Sequence, residues 1–204
     1  KNEEITGQCF ESLSCKIKMI SFLECPNVGV TGINSLVNGN GVNITQIKIG
    51  GNITAEMLNI ICQNMINLQT FELVGFNTDD VSNYNCIQEL TQLTELILKL
   101  PRFAFDNPLI QIVRKCKFLK KIQVDGAIIS NRSIIQISVS CPQLEHLSIA
   151  PNHNFINELI TNECCNALAT IKNLRFLSLC NSNVGDTIIT AIHLCTKLNW
   201  IKLE

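Results

Sequence analysis

The chain has 204 residues, of which 46% are hydrophobic and 16% are charged, so a packed core is expected and disorder is excluded. Its 16 basic and 17 acidic residues give a net charge of −1, which excludes the basic footprint of a nucleic-acid-binding protein. The sequence contains no apolar run of the roughly 18 residues that a membrane span needs. We therefore expect neither a nucleic-acid nor a membrane partner.

One apolar-x-x-apolar-x-apolar motif recurs from end to end of the chain, at steps of 24 to 30 residues. A single match means little in so apolar a chain, but eight matches at a near-constant step indicate an internal repeat. In seven of the eight motifs the last two apolar residues flank a polar one, and this alternation is typical of a short strand. The motifs begin, in chain order, at Ile17, Ile44, Leu68, Leu93, Leu119, Leu144, Leu174 and Leu198.

Helix signals lie between the motifs. The capping residues are Thr54 before 55–65, Asp106 or Asn107 before a helix with Pro108 in its first turn, Ser130 before 134–141, and Asp186 before 187–192. One strand and one helix in about 26 residues predict an α/β repeat stack with parallel strands on one side and helices on the other. No single unit can bury its apolar side, so the stack itself is the core.

Three of these helices are expected to end on a cysteine that precedes the next motif by three residues, namely Cys116, Cys141 and Cys195. Together with the period and the helix opening at 185–189, this pattern resembles the cysteine-containing class of leucine-rich repeats (LRRs). The resemblance covers residues 5–204 and is to the LRR domain of F-box/LRR proteins. It implies a right-handed solenoid, or horseshoe, of about eight repeats, with strands on the concave face and helices on the convex face. We expect one such domain over residues 1–204, with the three cysteines as buried, unpaired thiols.

F-box/LRR proteins are the substrate receptors of cullin-type ubiquitin ligases, and the resemblance implies a non-catalytic substrate-recognition module. In that family an F-box engages the adaptor that links it to the cullin. Residues 1–16 do not resemble an F-box, and the chain begins at Lys1 without an initiator methionine. We therefore expect it to be part of a longer protein. Two alternatives stay open: a secreted or host-delivered LRR effector that binds a host protein, and a structural subunit of a larger complex.

The 11 cysteines favour a reducing compartment, because their number is odd and several recur at one repeat position. We therefore expect a cytoplasmic or nuclear location. The sequons that begin at Asn43, Asn52 and Asn131 leave secretion as the alternative.

Motifs for catalysis or cofactor binding are absent from the sequence. Cys164 and Cys165, with His153 nearby, lack the paired spacing of a zinc site. The histidines lie in no nucleophile signature, and His193 is expected to be a solvated residue of the convex side. We find no glycine-rich phosphate-binding motif, and Gly39 to Gly41 predict a turn. We expect no catalytic residue, no metal, no cofactor and no enzymatic activity.

The solvent side of the predicted strands is the candidate binding surface. Strand side chains alternate, so the residues on either side of each motif's middle apolar position should form two rows on the concave face. Eight strands make a strip of roughly 35–40 Å, enough for a protein interface of about 800 Å² per partner.

Within these rows, aromatic side chains fall in one column of three successive repeats. Aromatic residues and arginine are enriched among binding hot spots, and the sequence therefore predicts a protein partner here. The alternative is that Trp200, which lies in the last predicted strand, packs against a further repeat. The expected binding residues are His146, Phe176, Trp200, Lys121, Glu95, Arg175, Ser148, Ser178 and Lys202. The longest interval, between Leu144 and Leu174, predicts an additional loop at 151–155.

Overall fold

The eight motifs form eight parallel strands of one sheet. The computed structural model describes residues 3–13, 16–76, 78, 80–151 and 157–203. The strands of the sheet are β1 Met19–Phe22, β2 Gln46–Gly50, β3 Thr70–Val74, β4 Glu95–Lys99, β5 Lys121–Gly126, β6 His146–Pro151, β8 Phe176–Leu179 and β10 Trp200–Leu203. They pair in that order, each with the next one along the chain. The predicted strands and their parallel arrangement are thus confirmed.

Helices connect most of these parallel strands. The α-helices are α1 Val30–Asn40, α2 Ala55–Asn64, α3 Asp106–Lys115, α4 Asn131–Ser140, α5 Cys165–Ala169 and α6 Thr187–Ile192. Within the described residues, 3-10 helices cover Phe10–Ser12, Gly41–Asn43, Val81–Glu89 and Asn162–Cys164. The third of these connects β3 to β4, whereas each of the other connections between strands of this sheet contains an α-helix.

Two of the predicted helix caps are confirmed. The Thr54 hydroxyl accepts a hydrogen bond from the Met57 backbone amide at 3.2 Å, and the Ser130 hydroxyl accepts one from the Arg132 amide at 3.3 Å. These bonds satisfy amide groups that have no partner within the helix. They explain why α2 and α4 begin where they do.

The cap predicted at Asp106 or Asn107 is wrong. Asp106 is the first residue of α3, and Phe105 holds the cap position without a side-chain bond. The Asp106 carboxylate instead accepts from the Ser130 amide at 2.9 Å and from the Ser133 hydroxyl at 2.5 Å. It therefore joins the start of α3 to the start of α4 in the next repeat.

The cysteines at the helix ends are buried free thiols, as predicted. Cys116, Cys141 and Cys195 are all inside the apolar core. The Cys116 thiol donates to the Leu90 carbonyl at 3.3 Å, and the Cys195 thiol donates to the Leu168 carbonyl at 3.4 Å. Each acceptor belongs to the preceding repeat, so these bonds connect neighbouring units of the stack.

An aromatic cluster fills the core beside the 3-10 helix at Val81–Glu89. Tyr84 makes edge contacts with Phe76 and Phe105, with ring centroids 5.0 Å and 5.1 Å away. Its hydroxyl donates to the Phe76 carbonyl at 2.7 Å. A buried tyrosine needs such a partner for its hydroxyl, and this one lets a large ring occupy the core.

A second, two-stranded parallel sheet lies within the longest interval and the repeat after it. It pairs β7 Asn157–Thr161 with β9 Ser182–Asn183. The predicted loop at 151–155 begins at Pro151, the last residue of β6, and its residues 152–155 lie outside the described part of the chain. The long interval thus contains a strand that the sequence did not predict.

Candidate functional site

Two rows of side chains cross the eight-stranded sheet on the side away from the core, which we call the outer sheet face. Strand register aligns the members of each row as Cα partners on adjacent strands, as predicted. The first row is Met19, Gln46, Thr70, Glu95, Lys121, His146, Phe176 and Trp200. The second row is Ser21, Lys48, Glu72, Ile97, Gln123, Ser148, Ser178 and Lys202.

Three members of the second row are buried, which corrects the expectation that both rows are open to solvent. Glu72 is covered because its carboxylate lies 3.1 Å from the Lys48 ammonium and 3.7 Å from the Lys99 ammonium. Ile97, between Glu72 and Gln123 in the row, is also buried.

Ser178 is the third buried member, and it is one of the predicted binding residues. It is 3% exposed, because its short side chain lies on an internal strand and its hydroxyl contacts the Cys180 sulfur at 3.3 Å. Its row partners Ser148 and Lys202 stay partly exposed. Ser178 could contact a ligand only if the neighbouring groups that bury it moved aside.

His146, Phe176 and Trp200 form a continuous stack, which we call the aromatic ladder. The His146 and Phe176 rings lie 3.9 Å apart between centroids with planes at 4°, and Phe176 and Trp200 lie 3.9 Å apart at 5°. Adjacent parallel strands are about 4.8 Å apart, so side chains in register can stack with a small tilt. Trp200, at the end of the stack, remains 41% exposed.

Charged groups flank the aromatic ladder. Lys121 is the row neighbour of His146, and Glu95 is the row neighbour of Lys121. Partial burial, and secondly the positive charge of Lys121, lower the pKa of His146 to about 4. The imidazole is therefore a neutral ring at pH 7, which favours stacking on Phe176.

Arg175 immediately precedes the ladder residue Phe176. Its guanidinium Nε lies 3.3 Å from the Glu145 carboxylate, and both side chains are substantially exposed. An exposed pair of this kind contributes little to stability. Lys202 follows Trp200 by two residues in the second row.

Cys164, Cys165 and His193, which the sequence analysis considered for metal or nucleophilic chemistry, are not members of either row of the outer sheet face. Cys164 and Cys165 are buried, and burial raises the pKa of Cys164 to about 12, so its thiol is protonated and unreactive at neutral pH. Over the described residues, no group of three or more His, Cys, Asp or Glu side chains could hold a metal ion. His153 lies outside that part of the chain. His193 is exposed, as predicted, and its ring contacts the Thr190 carbonyl.

Sequence reasoning missed the ion cluster of Lys48, Glu72 and Lys99. Lys48 and Glu72 are neighbours in one predicted row, so opposite charges on adjacent strands were a usable signal. Lys99 gave no such signal, because it is in register with Val74 and reaches Glu72 diagonally.

The parallel sheet, the alternating burial and the helix-end cysteines together define the leucine-rich-repeat fold. The structure of an internalin (inlF) from Listeria monocytogenes is similar to the present structure, with a TM-score of 0.55 and 18% sequence identity. The match covers 89% of the present chain and 52% of the internalin chain. Internalin C2 from the same organism matches with a TM-score of 0.54 and 15% sequence identity. This match covers 98% of the present chain and 84% of the internalin C2 chain. The present chain thus spans about half the length of internalin F and most of internalin C2.

A weaker likeness is to the yeast Rad7–Elc1 complex, with a TM-score of 0.46 at 15% identity over 92% of this chain and 69% of that one. No family model matches the sequence. At sequence identities this low, the similarity to these structures shows a shared fold and nothing about function. Among the described helices, none is both long and apolar enough to cross a bilayer.

Proposed function

We propose that the chain is a non-catalytic scaffold that binds another protein on its outer sheet face, over the aromatic ladder. The observation that carries this proposal is the ladder itself: three stacked rings that end in a tryptophan with 41% of its surface open to solvent. The leucine-rich-repeat fold needs apolar residues on the core side of its strands. It gives no reason for three rings on the other side.

The physical chemistry of the ladder suits protein recognition. Stacked rings are held in place by one another, so little side-chain freedom is lost when a partner binds. Tryptophan and arginine are the residues most enriched at binding hot spots. Trp200 supplies an open ring face, and the exposed Arg175 is next to it in the sheet, where its backbone carbonyl accepts a hydrogen bond from the Trp200 amide at 3.1 Å.

The charges next to the ladder favour a particular kind of partner. Lys121 lies on the side of His146 away from Phe176. The His146 imidazole is neutral, so Lys121 supplies the positive charge at this end of the ladder. We propose a protein segment that sets an apolar or planar side chain on Trp200 and a carboxylate near Lys121. Long-range steering is not part of this proposal, because the chain carries a net charge of only −1.

The finer role that we propose is substrate recognition of the F-box/LRR type, in the cytoplasm or nucleus. It rests on the helix-end cysteines Cys116, Cys141 and Cys195 and their resemblance to that class. An adaptor for the cullin would then be engaged by an F-box elsewhere in the protein. A secreted effector and a structural subunit remain the alternatives, and the coding sequence upstream of Lys1 distinguishes an F-box from a signal peptide.

The test compares ladder variants with a matched variant at the other end of the same row. Wild type, Trp200→Ala, Phe176→Ala, Lys121→Glu and Met19→Ala would be used to capture proteins from a cell extract. We expect wild type and Met19→Ala to retain the same partner, and the two ladder variants and Lys121→Glu to retain at least tenfold less of it. Equal capture by all five folded proteins would overturn the proposed site.

A further inference from the structure

A groove of about 660 Å³ lies on the helix side of the stack, away from the aromatic ladder. It runs between α2 and the 3-10 helix at Val81–Glu89. Two cysteines, Cys62 and Cys86, line it together with polar side chains that include Glu89. Nothing in the proposed binding function uses these thiols.

Cys62 and Cys86 occupy nearly equivalent positions in successive repeats. They precede the first apolar residue of the next motif, Leu68 or Leu93, by six and seven residues respectively. Successive units of a stack bring equivalent residues side by side. Cys62 is fully buried at the base of the groove, whereas Cys86 is partly exposed and donates to the Asn83 carbonyl at 3.2 Å.

The two thiols differ in acidity. A side-chain hydrogen bond with Cys62 is the main reason that the pKa of Cys86 is lowered. Burial is the main reason that the pKa of Cys62 is raised, and the nearby Cys86, Cys116 and Glu89 add to it. Cys86 thus combines access to the groove with a lowered pKa, which is the combination that makes a cysteine reactive.

We propose that Cys62 and Cys86 form a reversible dithiol–disulfide site that is oxidised by hydroperoxides entering the groove. The Cys86 thiolate attacks one peroxide oxygen, the O–O bond breaks, and the leaving hydroxide takes up the proton that the Cys86 thiol released. Cys86 is then a sulfenic acid, and one water has formed. The Cys62 sulfur attacks the sulfenic sulfur, the S–O bond breaks, and the departing oxygen leaves as a second water with the Cys62 proton and the proton of the sulfenic acid.

The balance of this reaction is two thiols and one hydrogen peroxide giving one disulfide and two waters. Two electrons pass from the thiol pair to the peroxide. A small dithiol reverses the reaction by thiol–disulfide exchange. The disulfide would tie α2 to the 3-10 helix of the next repeat.

The experiment treats the native chain with a small excess of hydrogen peroxide, blocks the remaining thiols, and maps the products by peptide mass spectrometry. We expect a cross-linked peptide between Cys62 and Cys86 that disappears on addition of dithiothreitol. We expect Cys86 to be oxidised at least fivefold faster than the exposed Cys9. The variant Cys180→Ser, which changes another partly buried thiol, should behave as wild type.

Two further variants separate the steps. Cys62→Ala should leave a Cys86 sulfenic acid that dimedone traps, and Cys86→Ser should remove both the cross-link and the dimedone adduct. Circular dichroism checks that each variant is folded. The proposal is overturned if wild type forms no Cys62–Cys86 peptide, if the pair reacts no faster than Cys9, or if Cys86 pairs with another cysteine.

Discussion

The indole of Trp200 stacks face to face on the ring of Phe176, with 3.9 Å between ring centroids and 5° between ring planes. Phe176 also stacks on His146, so both faces of its ring are covered. Trp200 stacks through one face and keeps 41% of its surface exposed. Phe176, in the middle of the ladder, is therefore covered on both faces, whereas Trp200 is accessible and is the contact point that we propose for a partner.

Iodide should quench the fluorescence of Trp200 in the free protein. It is the single tryptophan of the chain, so its emission reports this site alone. Phe176→Ala should increase the quenching constant about twofold because it uncovers the second face of the indole, and Met19→Ala should leave it unchanged. A blue-shifted emission that iodide cannot quench would mean that Trp200 is buried, and the binding site would have to be withdrawn.

The stability of the protein should fall between about pH 6.5 and pH 4 because of His146. Its pKa is about 4 in the folded chain, below the ordinary value of 6.5. Between those values the unfolded chain binds a proton that the folded chain does not, so the free energy of unfolding decreases as the pH falls. Above pH 6.5 this contribution is constant. Urea unfolding at several pH values measures the trend, and His146→Asn should make it shallower.

The contribution of Lys121 to the lowered pKa of His146 can be tested separately. Lys121→Ala should raise the pKa of His146 in an NMR titration, because it removes a positive charge beside the imidazole. Lys120→Ala, one residue away in the chain, is the matched control. An equal effect of both variants would contradict the pairing of His146 with Lys121 across adjacent strands.

Features that repeat with the period were predictable from sequence. Alternation places Leu96 and Leu98 in the core, and a constant step brings Phe176 and Trp200 into one row. The burial of Cys116 followed in the same way, because its position relative to the next motif recurs. Local pattern and period were sufficient for the strands of the eight-stranded sheet, the two rows and the buried thiols.

Features that depend on one particular contact were not predictable. Asp106 looked like a helix cap, but its carboxylate bonds to Ser130 and Ser133 in the next repeat. Glu72 lies in a row expected to be exposed, and two lysine side chains cover it. Such outcomes depend on side-chain length and on which neighbour lies within reach, and neither is visible in the hydrophobic pattern.

Asp106→Ala should destabilise the protein by about 1–3 kcal/mol, the range for leaving buried or partly buried donors without a partner. The change removes the acceptor of both the Ser130 amide and the Ser133 hydroxyl. Urea unfolding at pH 7 measures it. Asp186→Ala is the matched control: Asp186 also precedes a helix, but its side chain makes no capping bond, so we expect little change. Equal losses in the two variants would contradict the bridging role of Asp106.

Replacement of the buried cysteines by serine should have unequal costs. The Cys116 thiol already donates to the Leu90 carbonyl at 3.3 Å, so a serine hydroxyl at this position finds an acceptor after a small shift. Among the described residues, the equally buried Cys141 thiol makes no such hydrogen bond. An unpaired hydroxyl in the core costs about 1–3 kcal/mol, and we expect that loss for Cys141→Ser and a clearly smaller one for Cys116→Ser.

Alanine variants at the same two positions separate this effect from packing. Cys116→Ala and Cys141→Ala each remove one sulfur atom from the core without adding a polar group. They should therefore cost similar amounts, about 1 kcal/mol each. The serine-minus-alanine difference in the free energy of unfolding then isolates the hydroxyl, and it should be larger at Cys141 than at Cys116. The reverse order, or equal differences at both positions, would show that the Leu90 carbonyl does not accept a hydrogen bond from residue 116.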